Sequence, residues 1–139
     1  MQERLMGLDY GDSRTGVAVS DLLGITAQGI ESIKHTSDKQ LIQRLAELIK
    51  EYQVKKIIIG LPLNMNSTSG PRVEKTKKFI EKLKNEFGLE VITMDERLTT
   101  VASHRTMTEL GVHKDKKKNI VDMMSAILIL QMYLDRNRN

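Results

Sequence analysis

Leu5-Met6-Gly7-Leu8-Asp9-Tyr10-Gly11-Asp12-Ser13-Arg14-Thr15-Gly16-Val17-Ala18-Val19-Ser20 is the stretch whose reading decides the fold. Two largely apolar runs flank a short polar turn, the pattern of a strand, a tight turn and a returning strand. Side chains along a strand alternate, so Leu5, Gly7, Asp9 and Gly11 share one face while Met6, Leu8 and Tyr10 share the other. The Asp9 face is nearly bare of bulk. A carboxylate there is costly unless a donor, water or a cation reaches it. The plain role for Asp9 is to receive backbone donors at a sheet edge. The sharper one is that of a ligand, with the glycines letting a bulky anion or hydrated metal approach the sheet.

Outward from that hairpin, Ile25 to Ile33 fits a third strand, antiparallel to the second, which makes a three-stranded meander. Ser37 and Gln40 have capping-box spacing, and Leu41, Ile42, Leu45, Leu48 and Ile49 make one helical stripe ending near Glu51. Lys56 to Leu61, apolar on both faces, reads as an interior parallel strand reached through a helical crossover. A loop rich in Asn, Ser, Thr and Gly runs from Pro62 to Gly70. A helix follows with Pro71 early in it, a stripe of Val73, Thr76, Phe79, Ile80 and Leu83, and a basic outer surface. Leu89 to Met94 is a further strand, stopping at Asp95-Glu96-Arg97-Leu98-Thr99-Thr100, and Val101 to Leu110 is long enough for a short helix closing at Gly111. His113 to Lys118 reads as a basic loop before a final helix from near Asn119 to Leu134, apolar nearly all round at its centre. The whole is an α/β chain: a five-stranded mixed sheet, antiparallel over its first three strands and then extended by parallel crossovers, with the first strand central.

The 139 residues suit one domain spanning 1–139. No apolar run reaches transmembrane length and no signal peptide is evident, so a soluble cytoplasmic protein is expected. Cysteine is absent, which excludes disulfides, thiolate nucleophiles and cysteine-based zinc sites. The three histidines, His35, His104 and His113, lack metal-ligand spacing. Lys and Arg number 22 against 18 Asp and Glu, a net +4. A local acidic cluster on a basic body would suit a polyanionic substrate drawn in by the field and met by metal ions.

Three acids mark structural junctions in this order of elements. Asp9 lies mid-sheet, Glu96 follows a parallel strand, and Asp122 is expected in the first turn of the closing helix. Each has a plain alternative: Asp122 as the capping partner of Asn119, Glu96 as a surface partner of Arg97 or Lys114, Asp9 as above. Convergence of all three would suit phosphodiester hydrolysis, in which two divalent ions about 3.5–4 Å apart share carboxylate ligands, activate water and stabilise the leaving oxygen. Arg14, Arg72, Arg97 and the Lys114, Lys116, Lys117 and Lys118 run are candidates to position the phosphate backbone. Thr99 could bond phosphate or cap the next helix.

These same residues carry a family resemblance. Gly7-Leu8-Asp9-Tyr10-Gly11 with Thr15-Gly16, Gly60-Leu61-Pro62, Gly70-Pro71-Arg72, Asp95 to Thr100, and Asp122 ahead of Ala126 to Leu134 resemble the YqgF/RuvX family over nearly the whole chain. Those are small cytoplasmic proteins with a ribonuclease H-like fold, described as pre-16S rRNA nucleases and as Holliday junction resolvase-like proteins. The resemblance implies that Asp9, Glu96 and Asp122 are the catalytic, metal-binding acids, holding Mg²⁺ or Mn²⁺. It also implies a role in maturing the 5′ end of 16S ribosomal RNA, with helices on both faces of the sheet. Ser67 and Met124-Ser125 depart from the family's pattern. Structured RNA such as a ribosomal precursor, or branched DNA, is the expected partner, no membrane is, and the chain would act as a monomer or homodimer. Two other classes compete: a non-catalytic nucleic-acid-binding factor in ribosome assembly or transcription, which would make the acids incidental, and an actin-like ATPase, which would need a second domain.

Overall fold

The computed structural model describes residues 4–61, 70–95 and 114–137, with side chains of the last helix described from Ile120 onward. The expected loop at 62–69, the Glu96, Arg97 and Thr99 positions and the helix at 101–110 lie outside the described residues. Described strands are β1 (Arg4–Tyr10), β2 (Arg14–Ser20), β3 (Ala27–Lys34), β4 (Val54–Leu61) and β5 (Glu90–Asp95); the helices are α1 (Asp38–Tyr52), α2 (Pro71–Phe87) and α3 (Lys114–Arg136).

The strands form a five-stranded sheet in the order β3-β2-β1-β4-β5. β1 pairs antiparallel with β2 and parallel with β4, so the opening strand is central. β2–β3 is antiparallel and β4–β5 parallel, as the meander and the crossovers require.

Alternation along β1 divides the core into two layers. Met6, Leu8 and Tyr10 are buried with Leu41, Leu45 and Leu48 of α1 and Phe79, Ile80 and Leu83 of α2. On the other face Ala18, Ile58 and Met94 are buried under Ala126, Ile129, Leu130 and Leu134 of α3. The α2 stripe read from the sequence is buried residue for residue. In α1, the Ser37 side chain accepts from the Gln40 backbone N–H at 3.2 Å, as a capping box does. The Gln40 side chain instead accepts from the Thr36 N–H at 2.7 Å, one residue earlier than the reciprocal bond would fall.

One expectation fails. The Lys114 to Lys118 run is not a loop: α3 begins at Lys114, which makes Asp122 its ninth residue rather than a first-turn one, and removes its pairing with an Asn119 cap. Polarity alone misled the reading, for the run contains neither Gly nor Pro and lysine is a good helix former.

Close approach sets where α3 sits. A Cβ placed on Gly7 would lie 2.7 Å from Leu130 Cβ and 2.8 Å from the Ala126 carbonyl oxygen. One placed on Gly16 would strike the carbonyl oxygen of Asp122. Gly7 therefore underlies the second half of α3 and Gly16 its middle, so the helix runs antiparallel to β1 with its backbone laid almost directly on the sheet.

Candidate active site

Asp9 pairs across the β1–β2 ladder with Gly16, and Gly16 pairs across β2–β3 with Ser32. Directly opposed residues project to the same face, so Asp9, Gly16 and Ser32 form a row across three strands, facing α3. Asp122 lies over the middle of that row, because it is its backbone that Gly16 admits. Two of the three expected acids thus stand on one face around a single glycine. Ser32 Oγ donates a hydrogen bond of 3.1 Å to Asp122 Oδ2.

The row lies toward the carboxyl ends of the parallel strands β1, β4 and β5, where the described part of β5 stops at Asp95, paired with Leu61. Glu96, the third acid, is outside the described residues. Among the described residues no three acidic or imidazole side chains form a metal-holding cluster.

The opposite face fixes the strand that carries Asp9. The Tyr10 ring stacks on Phe79 with centroids 4.1 Å apart and planes within 3°. Its hydroxyl donates to Asp38 Oδ1 at 2.6 Å, and Lys82 Nζ donates to Asp38 Oδ2 at 2.9 Å. Burial, then the bond to Asp38, push the Tyr10 phenol well above its ordinary pKa. Burial pushes Asp38 upward as well, but donors from Tyr10 and Lys82 outweigh it and hold the carboxyl below its ordinary value. The phenol stays protonated and the carboxylate ionised at neutral pH, which keeps this clamp closed.

The β1–β2 turn is tied down on the same side. Thr15 Oγ1 and His35 Nε2 are 2.9 Å apart in the buried interior, and the His35 backbone N–H donates to the Ser13 carbonyl at 2.9 Å. Desolvation pushes the His35 imidazole below its ordinary pKa. Asp12 accepts from Lys75 Nζ at 2.6 Å and stands 3.7 Å from Arg72 Nη1, and the Lys75 bond holds its carboxyl below the usual range.

Arg72, expected to meet substrate, lies at the first turn of α2 with its side chain 55 % exposed, its Nη2 reaching the Tyr10 carbonyl at 3.4 Å. It therefore stands at the Asp9 end of the sheet. Arg14 opens β2, half-buried, opposite Lys34. Lys114, Lys116, Lys117 and Lys118 belong to the first turns of α3, and Arg97 and Thr99 fall outside the described residues.

Sequence reasoning missed Tyr10, His35, Asp38 and Ser32. Ser32 and Asp122 are 90 residues apart, and a serine in a half-exposed strand carries no signal by itself. The separation of 28 positions between Tyr10 and Asp38 hides their bond in the same way, although an acid at the start of a helix already had a local explanation.

A family model described as RuvX, Holliday junction resolvase, matches residues 3–136. A protein of Ruminiclostridium cellulolyticum named "Putative pre-16S rRNA nuclease" is 58% identical over 134 residues, covering 96% of this chain and 94% of that one. Proteins of the same name are 53% identical in Clostridioides difficile, over 95% of this chain and 94% of that one, and 47% identical in Thermoanaerobacter pseudethanolicus, over 98% and 99%. Among solved structures, T. thermophilus RuvC in complex with a Holliday junction substrate superposes with a TM-score of 0.61 at 12% identity, covering 98% of this chain and 97% of that one. The Fowlpox virus resolvase in complex with substrate Holliday junction DNA gives 0.59 at 14% identity, over 98% and 99%.

Proposed function

Because the chain belongs to the RuvX family, we propose that it is a divalent-metal-dependent nuclease that cleaves phosphodiester bonds of nucleic acid and trims the 5′ end of the 16S ribosomal RNA precursor in the cytoplasm. The observation that carries this reading is the placement of Asp9 and Asp122 on one face around Gly16, in a chain whose relatives at 47–58% identity bear a pre-16S rRNA nuclease name.

The donor set fits a hard divalent cation. Asp9 and Asp122 offer carboxylate oxygens, one of them already hydrogen-bonded by a hydroxyl, on the same face of the sheet, where Gly7 and Gly16 let the α3 backbone that carries Asp122 lie close to β1. Asp9 and Asp122, with Glu96, would hold Mg²⁺ or Mn²⁺, which when bound supplies an activated water and charge stabilisation at the leaving oxygen. The remaining work belongs to the chain itself. The Tyr10 clamp keeps Asp9 in register, and Arg72 and Arg14, with Arg97, Thr99 and the lysines of 114–118, bind and align the phosphate backbone.

The test is cleavage of a 16S precursor fragment and of a four-way DNA junction with Mg²⁺ or Mn²⁺, by wild type, Asp9→Asn and Asp122→Asn. The expected result is metal-dependent cutting of the RNA, lowered about a hundredfold or more in each variant. The family's resolvase description favours a second reading, in which the junction is the preferred substrate, and the junction arm decides between them. Cleavage equal in wild type and Asp9→Asn would refute the mechanism and leave a nucleic-acid-binding factor.

A further inference from the structure

Ser32 has no role in anything described so far except a single contact. It lies on β3, half-buried, and its hydroxyl donates 3.1 Å to Asp122 Oδ2. Its place is set by register: the pairing of Gly16 with both Asp9 and Ser32 puts the hydroxyl on the α3 face, one strand away from Gly16 on the side opposite Asp9. Asp122, whose backbone rests on Gly16, stands between the two.

We propose that Ser32 is a positioning residue for the active site, holding the Asp122 carboxylate in the orientation in which it meets a divalent cation shared with Asp9. The inference rests on the nuclease reading above. Its physical basis is twofold. A carboxylate on an unrestrained side chain samples several rotamers, and the entropy of fixing it is lost on each binding event. A hydroxyl donating to the carboxylate lowers that cost in advance, and one such bond takes up only one of the carboxylate's several acceptor sites. Ser32 itself is held by a five-stranded sheet, not by a loop, so the hydroxyl is a fixed reference point. It touches no reacting atom, and it acts only through Asp122.

The experiment compares Ser32→Thr with Ser32→Val, a pair of the same shape in which a hydroxyl replaces a methyl and both side chains suit a strand. Mn²⁺ binding to the full chain is measured by titration calorimetry, and thermal melting is followed in metal-free buffer. Wild type and Ser32→Thr are expected to bind alike, while Ser32→Val binds about tenfold or more weakly. The two variants should melt within a few degrees of each other without metal, which a merely structural role for the hydroxyl would not give. Equal Mn²⁺ affinity in Ser32→Val and Ser32→Thr, with binding lost in Asp122→Asn, overturns the role of Ser32 alone. Absence of Mn²⁺ binding to wild type, or its persistence in Asp122→Asn, overturns the site and the role of Ser32 with it.

Discussion

His35 is the side chain on which mild acid should act. Its ring is buried, one nitrogen is engaged by Thr15 and the other, Nδ1, has no hydrogen-bond partner among the described residues, so a proton added there would be a charge without an acceptor among them. The folded-state pKa is lowered by desolvation from 6.5. Its contribution is therefore whole above about pH 6.5 and is lost as the pH falls below that value, where the unfolded chain takes up a proton that the native one resists. Urea midpoints should drop between pH 7.5 and 5.5 in wild type and drop less in His35→Gln. Asp12, Glu31 and Asp38, each with a lowered pKa, stay ionised across that window and add little to the slope. Ser125 offers a second test: its hydroxyl is fully buried without a partner among the described residues, so Ser125→Ala should raise stability by about 1 kcal/mol in chemical denaturation. At this scale the sequence disclosed Asp9, since a carboxylate between glycines is chemically conspicuous. It concealed His35 and Ser32, because their meaning lies in partners 20 and 90 residues away.

Between elements, the contact of α3 with the sheet is made backbone to backbone at Gly16. Gly16→Ala forces a methyl into the Asp122 carbonyl, so the helix must lift, at a cost of about 1–3 kcal/mol or more, and Asp122 moves with it. Loss of cleavage should exceed what the lowered melting temperature explains. Gly29 provides the contrast: its nearest neighbour is the flexible end of Ile127, 3.1 Å from the added Cβ, and Gly29→Ala should change stability by less than about 1 kcal/mol. The stripes of α1 and α2 were legible because apolar residues at helical spacing state which face is buried. The start of α3 was not, since a lysine run has no periodic apolar residue to report the helix, and this error put Asp122 in a first turn when it lies mid-helix.

For the molecule as a whole, charge has a direction. From Thr15 to Ile33 there is no Lys or Arg, though the chain carries 22 of them. The β2–β3 turn at the foot of this segment, at the other end of the sheet from the β1–β2 turn, exposes Leu22, Leu23 and Ile25. The function proposed above puts nucleic-acid contact at the Arg72 end instead. Filter binding should show affinity falling about tenfold between 50 and 200 mM salt, for roughly two phosphate contacts, with a shallower slope in Arg72→Ala and no change in Leu23→Ser. Global topology was readable early because a meander followed by helical crossovers leaves few ways to arrange five strands. Assembly of the acids was less so, because convergence depends on how near a helix can lie to a strand, and only the glycines hint at that distance. Asp9 and Tyr10 are consecutive in one extended strand and look in opposite directions. The greasy layer behind Tyr10 is therefore the mounting plate of the strand that carries Asp9, and if Asp9 is the blade, as proposed, a change as mild as Phe79→Leu, which unseats the Tyr10 ring, should dull cutting at temperatures where the protein is still folded.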